Sequence, residues 1–337
     1  MPDTRPGLNP RRLLRLMNAA IDRCQLDLTG RTVLTEAASG AYVVTPVLAA
    51  MAGADVCALA ASTAYGSAAE LRAITTELAG LAGVRARITF AQAKQASDVG
   101  VANIVTNSGQ VRPIDAETIG CMKPGCVIPL MYEAWEFRSS DLDIEACRKH
   151  DILVAGTNEQ HPAVDVFSYL GQMAVKQLHE AGIAVRGSRI ALLCDNSFGP
   201  YIERELRQNA AEVITIPELA ADALAPYCDA VVVAMLPGEE GAGLALTSSD
   251  ARLIRYAARD TVVIQYWGDV DRAALAAEGL PVWPETAPAA GHMGVLPSAV
   301  GPDAIVRLQS GGLKVGEVLA RGLHKASPED LAFIQLL

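Results

Sequence analysis

Short apolar runs alternate with longer amphipathic segments along most of the chain. Such runs, bounded by glycine or polar residues, are typical of strands buried on both faces of a parallel sheet. The predicted strands lie at 31–35, 55–59, 86–90, 103–106, 126–132, 152–155, 189–193, 212–216, 230–234 and 261–266. Helical spacing of apolar positions occurs over 68–81, 143–149, 164–181 and 201–210. Strand, helix and strand in this repeated order predict an α/β protein.

The strand–helix–strand pattern occurs in two series, separated by a long amphipathic helix predicted over 164–181. We therefore predict two Rossmann-like units, each a doubly wound, mostly parallel sheet. The expected boundaries are 1–155 for the first unit, 156–186 for the crossover helix, 187–300 for the second unit and 301–337 for a C-terminal helical segment packed back on the first. Because open α/β sheets bind ligands at the carboxyl ends of their strands, we expect the site in a cleft between the units.

The N-terminal segment predicts a helix rather than a signal peptide. Asn9-Pro10 has the pattern of an N-cap followed by proline at the first helical position. No unbroken apolar region follows it, as a signal peptide would require. The most apolar stretch, 43–61, contains Pro46 and Asp55 and does not have the pattern of a membrane span. We expect a cytoplasmic protein without a membrane partner.

Composition narrows the function classes. Net charge is −10 and no block of Lys or Arg occurs, so the phosphate neutralisation that nucleic-acid binding needs is missing. The chain has seven cysteines, none in a CxxC pair and none near a histidine cluster, which favours reduced core cysteines over a metal site or a disulfide framework. A small-molecule substrate is the expected partner, with a homodimer expected by analogy with this architecture.

Four stretches resemble the D-2-hydroxyacid dehydrogenase family, to which formate and glycerate dehydrogenases belong: 141–154, 187–199, 265–275, and 282–285 together with 292–294. The resemblance implies NAD or NADP as cofactor. It places residues 187–199 at the family's dinucleotide-binding turn, which makes the cofactor-binding candidates Asn196, Ser197, Phe198 and Gly199. It places Glu285 and His292 at the family's catalytic glutamate and histidine.

The predicted cofactor turn departs from the family's pattern. A dinucleotide-binding turn has the form G-x-G-x-x-G, for a tight bend, close approach of the pyrophosphate and helix–strand packing. This chain has Cys194, Asn196 and Gly199 at the three positions, so only the packing glycine is kept. A helix N-terminus with small polar residues can still bind an anion through its N–H groups.

Polar residues follow several predicted strands of the first unit. Asn107 and Arg112 come after one strand, and Glu133 and Arg138 after the last. The substrate-carboxylate arginine of the resembled family falls at Trp267, whose indole cannot make a bidentate contact with a carboxylate. Arg112 or Arg138 could supply that contact instead. Asn107, both arginines and Trp267 are therefore substrate-binding candidates, and an interdomain salt-bridge network is the alternative for the charged residues.

The segment before the crossover helix adds Asn158 as a binding candidate and His161 as a catalytic one. Helix capping by polar side chains is the competing interpretation there.

Three functions remain open. The first is an NAD(P)-linked oxidoreductase of a small polar metabolite, with His292 as acid and base and Glu285 fixing its tautomer. The second is a non-redox lyase, cyclase or hydrolase on the same scaffold, with Glu133, Glu136 and His161 or His292 transferring protons. The third is a catalytically silent binding protein.

Overall fold

The computed structural model describes residues 5–237 and 243–337 and divides into two compact units. Unit 1 comprises Met1–Val166 and Gly301–Leu337, and unit 2 comprises Phe167–Val300. Each unit has its own sheet and its own buried apolar clusters. The predicted fold class, α/β with two mostly parallel sheets, is confirmed.

Unit 1 is built on a sheet of seven strands. They are β1 (Thr32–Glu36), β2 (Asp55–Leu59), β3 (Ile88–Ala91), β4 (Ile104–Val105), β5 (Val127–Pro129), β6 (Leu153–Thr157) and β12 (Ile334–Leu336). The order is β12-β6-β5-β4-β1-β2-β3, with β12 antiparallel to β6 and the other pairs parallel. The strand order reverses between β1 and β4, which is the point where open α/β sheets bind ligands.

The helices of unit 1 are α1 (Pro10–Cys24), α2 (Val44–Met51), α3 (Ala68–Leu81), α4 (Ala96–Val101), α5 (Ala116–Gly120), α6 (Ile144–Lys149), α12 (Asp303–Arg321) and α13 (Pro328–Leu331). The Asn9 side chain accepts hydrogen bonds from the N–H groups of Arg11 and Arg12, which confirms the predicted N-cap of α1. Helix α3 has the predicted bounds and begins with a capping box from Ser67 to Glu70.

Helix α12 is buried along most of its length and packs against β5 and β6. Its glycines allow this close approach. A Cβ at Gly312 would lie 2.5 Å from the sulfur of Met131, and one at Gly316 would lie 2.9 Å from Ile104. The C-terminal segment thus supplies part of the interior of unit 1.

Unit 2 has five parallel strands in the order β11-β10-β9-β7-β8. Its elements are α7 (Leu170–Glu180), β7 (Arg189–Leu193), α8 (Gly199–Gln208), β8 (Glu212–Ile216), α9 (Ala221–Leu224), β9 (Ala230–Ala234), α10 (Ser248–Ala257), β10 (Val262–Trp267), α11 (Arg272–Ala277) and β11 (Val282–Trp283). No helix within 5–237 or 243–337 is long and apolar enough to cross a membrane.

The helix predicted over 164–181 is shorter than expected, because α7 begins only at Leu170. Val164 and Val166 are buried in the core of unit 1 instead. Between them, Asp165 has φ +48°, which is outside the right-handed helical region. The apolar spacing over 164–181 therefore combines residues buried in two different cores, and only its later part forms a helix.

Candidate functional site

The carboxyl ends of four neighbouring strands in unit 1 carry acidic or amide side chains. Glu36 ends β1, Asn107 follows β4, Glu133 follows β5 and Glu159 follows β6. These strands pair in parallel as β1–β4, β4–β5 and β5–β6, so their carboxyl ends lie at one edge of the sheet. We call Glu36, Glu133, Glu136 and Glu159 the carboxyl cluster.

A short 3₁₀ turn, Ala134–Glu136, ends at one member of the cluster, and its N-cap, Glu133, is another. The Glu133 N–H donates to Glu136 Oε1 at 3.3 Å, so the turn is closed by one of its own acids. The turn lies directly on β6, because a Cβ at Gly156 would be 2.5 Å from the Ala134 nitrogen. Glycine at 156 is thus required for this close approach.

Glu133 is 3% exposed and its carboxylate accepts three hydrogen bonds. The donors are the Trp135 indole N–H, Gln335 Nε2 at 3.1 Å and the Glu159 backbone N–H at 3.3 Å. Burial raises the pKa of Glu133, and the three hydrogen bonds lower it again because they favour the ionised form.

Burial also raises the pKa of Glu136 and Glu159, two further members of the cluster. It raises the pKa of Glu136 to about 7, and the negative charge of Glu133 adds to the increase while Arg138 opposes it. The pKa of Glu159 is raised well above its ordinary value, first by burial and then by the charges of Glu136 and Glu133. Like charges held close together in a poorly solvated place repel one another, which adds to the effect of burial on the pKa values of Glu136 and Glu159.

The Glu36 side chain packs against the backbone of the segment that follows β4. The Gln110 N–H donates to Glu36 Oε2 at 2.8 Å, and a Cβ at Gly109 would overlap the same oxygen. Burial raises the pKa of Glu36, and the Gln110 hydrogen bond and the charge of Arg112 lower it. Burial together with the cluster's charges raises the pKa of Tyr42 to about 12, with Arg112 opposing the increase.

Asn107 is 1% exposed, and one of the two polar atoms of its side-chain amide makes a hydrogen bond in the described structure. Its Nδ2 donates to the Tyr132 hydroxyl at 2.7 Å, whereas its Oδ1 is a buried oxygen with no hydrogen-bond partner in the described structure. Buried acceptors are almost always satisfied, so an unused one at a strand end can receive a donor from a ligand or water.

The two arginine candidates differ in their surroundings. Arg112 donates from Nη1 to Asp141 Oδ2 at 2.8 Å, and this ion pair is partly buried. Arg138 is exposed, and its charge lowers the pKa of Glu136. Their role toward a substrate carboxylate stays a prediction.

Asn158 and His161 both contact the C-terminal segment. Asn158 Nδ2 donates to the Ala332 carbonyl at 2.9 Å, and the His161 ring stacks on Phe333 with centroids 3.7 Å apart. His161 Nδ1 accepts from the Ala163 N–H at 3.1 Å, and burial lowers the pKa of His161. A neutral imidazole with its proton on Nε2 fits these contacts.

The predicted cofactor turn lies in unit 2, between β7 and α8. Asn196 Nδ2 donates to the Ala234 carbonyl at 2.7 Å, and its Oδ1 accepts from the Phe198 N–H at 3.0 Å. The Gly199 N–H donates to the Asn196 carbonyl at 3.3 Å. Two N–H groups that a pyrophosphate would need are therefore engaged, and a side chain occupies the middle glycine position. Ser197 is the remaining cofactor-binding candidate in this turn. The turn does not fit a dinucleotide held in the manner of a G-x-G-x-x-G turn.

The remaining candidates are also in unit 2. Trp267 is buried at the end of β10, stacks on Phe198 and donates from Nε1 to the Gly291 carbonyl at 3.3 Å. Glu285 and His292 are exposed and follow β11. The Glu285 carbonyl accepts from Arg272 at 3.1 Å. Their catalytic roles stay predictions.

Three residues of the site were not singled out from the sequence: Glu36, Glu159 and Gln335. Glu36 could have been found by the strand-end argument that identified Glu133. Glu159 stands between two chosen residues, Asn158 and His161. No pattern in the sequence identifies Gln335 as a site residue, because the pairing of β12 with β6 is what brings it to the site.

No protein-family model and no curated protein matches the sequence. Among solved structures, a dipicolinate synthase protein from Bacillus halodurans is similar with a TM-score of 0.54 at 11% identity, over 88% of this chain and 99% of that one. Its counterpart, the dipicolinate synthase of Bacillus subtilis, has a TM-score of 0.56 at 10% identity, over 89% and 98%. The pyruvate reductase of Chlamydomonas reinhardtii has a TM-score of 0.48 at 12% identity, over 88% of this chain and 98% of that one. The two dipicolinate synthase matches show a shared fold along nearly the whole chain.

Proposed function

We propose that the protein is an enzyme that acts on a small polar metabolite and that Glu136 and Glu159 transfer protons in its reaction. The observation that supports this most is the carboxyl cluster. Burial and mutual repulsion bring the pKa of Glu136 to about 7, the value at which a group both donates and accepts protons at neutral pH. Perturbed carboxyls at strand ends are typical of catalytic sites.

Each residue has a distinct part in this proposal. Glu136 is the base that takes a proton from the substrate and then releases it to solvent. Glu159 in its protonated form donates a hydrogen bond to the oxygen on which negative charge develops. The Asn107 Oδ1, which lacks a partner among the described residues, accepts from a substrate hydroxyl or amine and orients it.

The reaction class that we favour is NAD(P)-linked oxidation or reduction. The sequence resemblance to D-2-hydroxyacid dehydrogenases supports it, with the predicted cofactor turn in unit 2. A dinucleotide held in another manner than by a G-x-G-x-x-G turn would supply or accept a hydride, and Glu136 would take up the proton of the alcohol. His292, assisted by Glu285, is the alternative base that the resemblance implies.

A non-redox reaction, such as that of a lyase, cyclase or hydrolase, is the second candidate. The observation that favours it is Asn196, whose side chain fills the middle position of the turn in unit 2. The carboxyl cluster could serve such a reaction without change.

Two measurements test the proposal. Metabolites that co-purify with the protein, identified by mass spectrometry, give a substrate set, and turnover is compared between wild type and Glu136→Gln. We expect a loss of about 10²- to 10⁴-fold, whereas Glu117→Gln, at an exposed position, should keep wild-type turnover. Full turnover in Glu136→Gln would refute the role of Glu136.

The cofactor is tested by titrating NADH and NADPH into wild type and Asn196→Gly, followed by fluorescence and calorimetry. If a dinucleotide binds at this turn, the glycine variant frees the middle position and should bind more tightly. Absence of binding to both proteins would favour the non-redox reaction.

A further inference from the structure

We propose that the C-terminal strand β12 is part of the catalytic site and that Gln335 is a positioning residue for Glu133. This inference rests on the proposed role of the carboxyl cluster. Strand β12 pairs antiparallel with β6, and Gln335 lies opposite Gly156, the residue on which the Ala134–Glu136 turn packs. The register thus places the Gln335 side chain against the turn that holds Glu133 and Glu136.

The Gln335 amide uses both of its ends on that turn. Its Nε2 donates to Glu133 Oε1 at 3.1 Å, and its Oε1 accepts from the Ala134 N–H at 2.8 Å. One side chain therefore fixes a carboxylate and the peptide that follows it. An apolar residue at 335 would leave both partners without these bonds.

The rest of the segment holds the second acidic loop. The Asn158 N–H donates to the Phe333 carbonyl at 2.9 Å, and the His161 ring stacks on the Phe333 ring. Glu159 lies between these two contacts, and its N–H donates to Glu133. The loops carrying Glu133 and Glu159 are thus joined to each other and to the same few C-terminal residues.

Gln335 also affects ionisation. A donor to a carboxylate stabilises the charged form, so the Gln335 hydrogen bond opposes the rise in the pKa of Glu133 that burial causes. The negative charge of Glu133 in turn contributes to the high pKa of Glu136. Through Glu133, the C-terminal strand helps to set the pH at which the proposed base works.

The Trp135 indole allows a direct measurement, because its N–H donates to Glu133. The protein has three tryptophans, so an ¹⁵N–¹H spectrum of the full chain contains three indole peaks. Trp135→Phe assigns the peak, and Glu133→Gln identifies the transition that belongs to Glu133. Peak position is then followed against pH.

Two variants separate positioning from simple packing. Gln335→Leu removes both hydrogen bonds. Gln335→Glu keeps an acceptor for the Ala134 N–H but replaces the donor to Glu133 with a like charge. Leu336→Ala, on the same strand with a side chain 76% exposed, is the matched control.

We expect the pH midpoint of the titration seen at the Trp135 indole peak to rise by about one pH unit in Gln335→Leu and by more in Gln335→Glu. The midpoint of Leu336→Ala should equal that of wild type. A wild-type midpoint in both Gln335 variants would overturn the proposal, even if their melting temperatures fall, because a packing role lowers stability without moving the titration. Turnover is not needed, so this result is independent of whether the proposed function holds.

Discussion

Glu136 shows how a single buried acid links function to stability. A folded-state pKa of about 7, against an ordinary value of 4.5, means that the folded protein binds more protons than the unfolded chain between these two pH values. The stability contributed by the protonated form is therefore complete below pH 4.5 and is lost as the pH rises through about 7. The same shift that makes the residue a useful base makes the fold sensitive to alkali.

Replacement of Glu136 by glutamine should remove this dependence. We expect wild type to lose ~1–3 kcal/mol more unfolding free energy than Glu136→Gln between pH 5 and pH 8. Urea denaturation at several pH values measures the difference, with the exposed Glu117→Gln as control. Parallel pH profiles for wild type and Glu136→Gln would show that the residue titrates normally in the folded protein.

Strand-end reasoning located part of the site at the level of single residues. Asn107, Glu133 and Glu136 were identified because each follows a recognisable buried strand. Gln335 could not be found in this way, since its contact to Glu133 spans 202 positions and depends on an antiparallel pairing that no local pattern encodes. Side chains brought in by long-range pairing are beyond what periodicity can show.

At the scale of elements, the sequence predicted most accurately where local signals agree. Strands β2, β7, β8 and β9 have the predicted bounds, as does α3 with its capping box. Helix α7 was placed too early because apolar spacing continued into it from residues that belong to another core. The spacing of apolar residues predicts that they are buried, but it does not predict in which core they are buried.

Helix α12 contains a buried ion-pair network. Lys314 is 4% exposed, and its Nζ lies 3.0 Å from Glu317 and 3.4 Å from Asp330. Arg321 contacts the same two acids. In a poorly solvated position, removal of one partner leaves the others uncompensated, which costs more than the pair itself contributes.

We expect Lys314→Met to lower the unfolding free energy by about 3 kcal/mol, because Glu317 and Asp330 lose the more buried of their two shared cations. The double variant Lys314→Met with Glu317→Met should recover much of this loss. As a comparison, Arg252→Met changes an ion pair whose arginine side chain is 74% exposed, and it should change stability by less than ~0.5 kcal/mol. Equal losses in the Lys314 and Arg252 variants, measured by urea denaturation, would contradict the network.

At the scale of the whole molecule, chain connectivity makes the two units unequal. Unit 2 is one continuous segment, Phe167–Val300, whereas unit 1 is assembled from two segments that flank it. The second segment supplies α12, with its buried Ile305, Leu313 and Val318, and the edge strand β12. Unit 1 therefore cannot complete its core until the last residues of the chain are present, while unit 2 contains all five of its strands within one stretch.

A chain ending at Val300 tests this dependence. Without α12 the apolar faces of β5 and β6 would be left open to water, so we expect unit 1 to unfold while unit 2 keeps its structure. Hydrogen exchange with mass spectrometry should show near-complete exchange in peptides from 5–166 and retained protection in β7, β9 and β10. A chain lacking only Leu337 serves as the control and should match the full protein. Protection of β1 and β4 in the chain ending at Val300 would show that the N-terminal segment folds alone, and loss of protection in β7, β9 and β10 would show that unit 2 depends on unit 1.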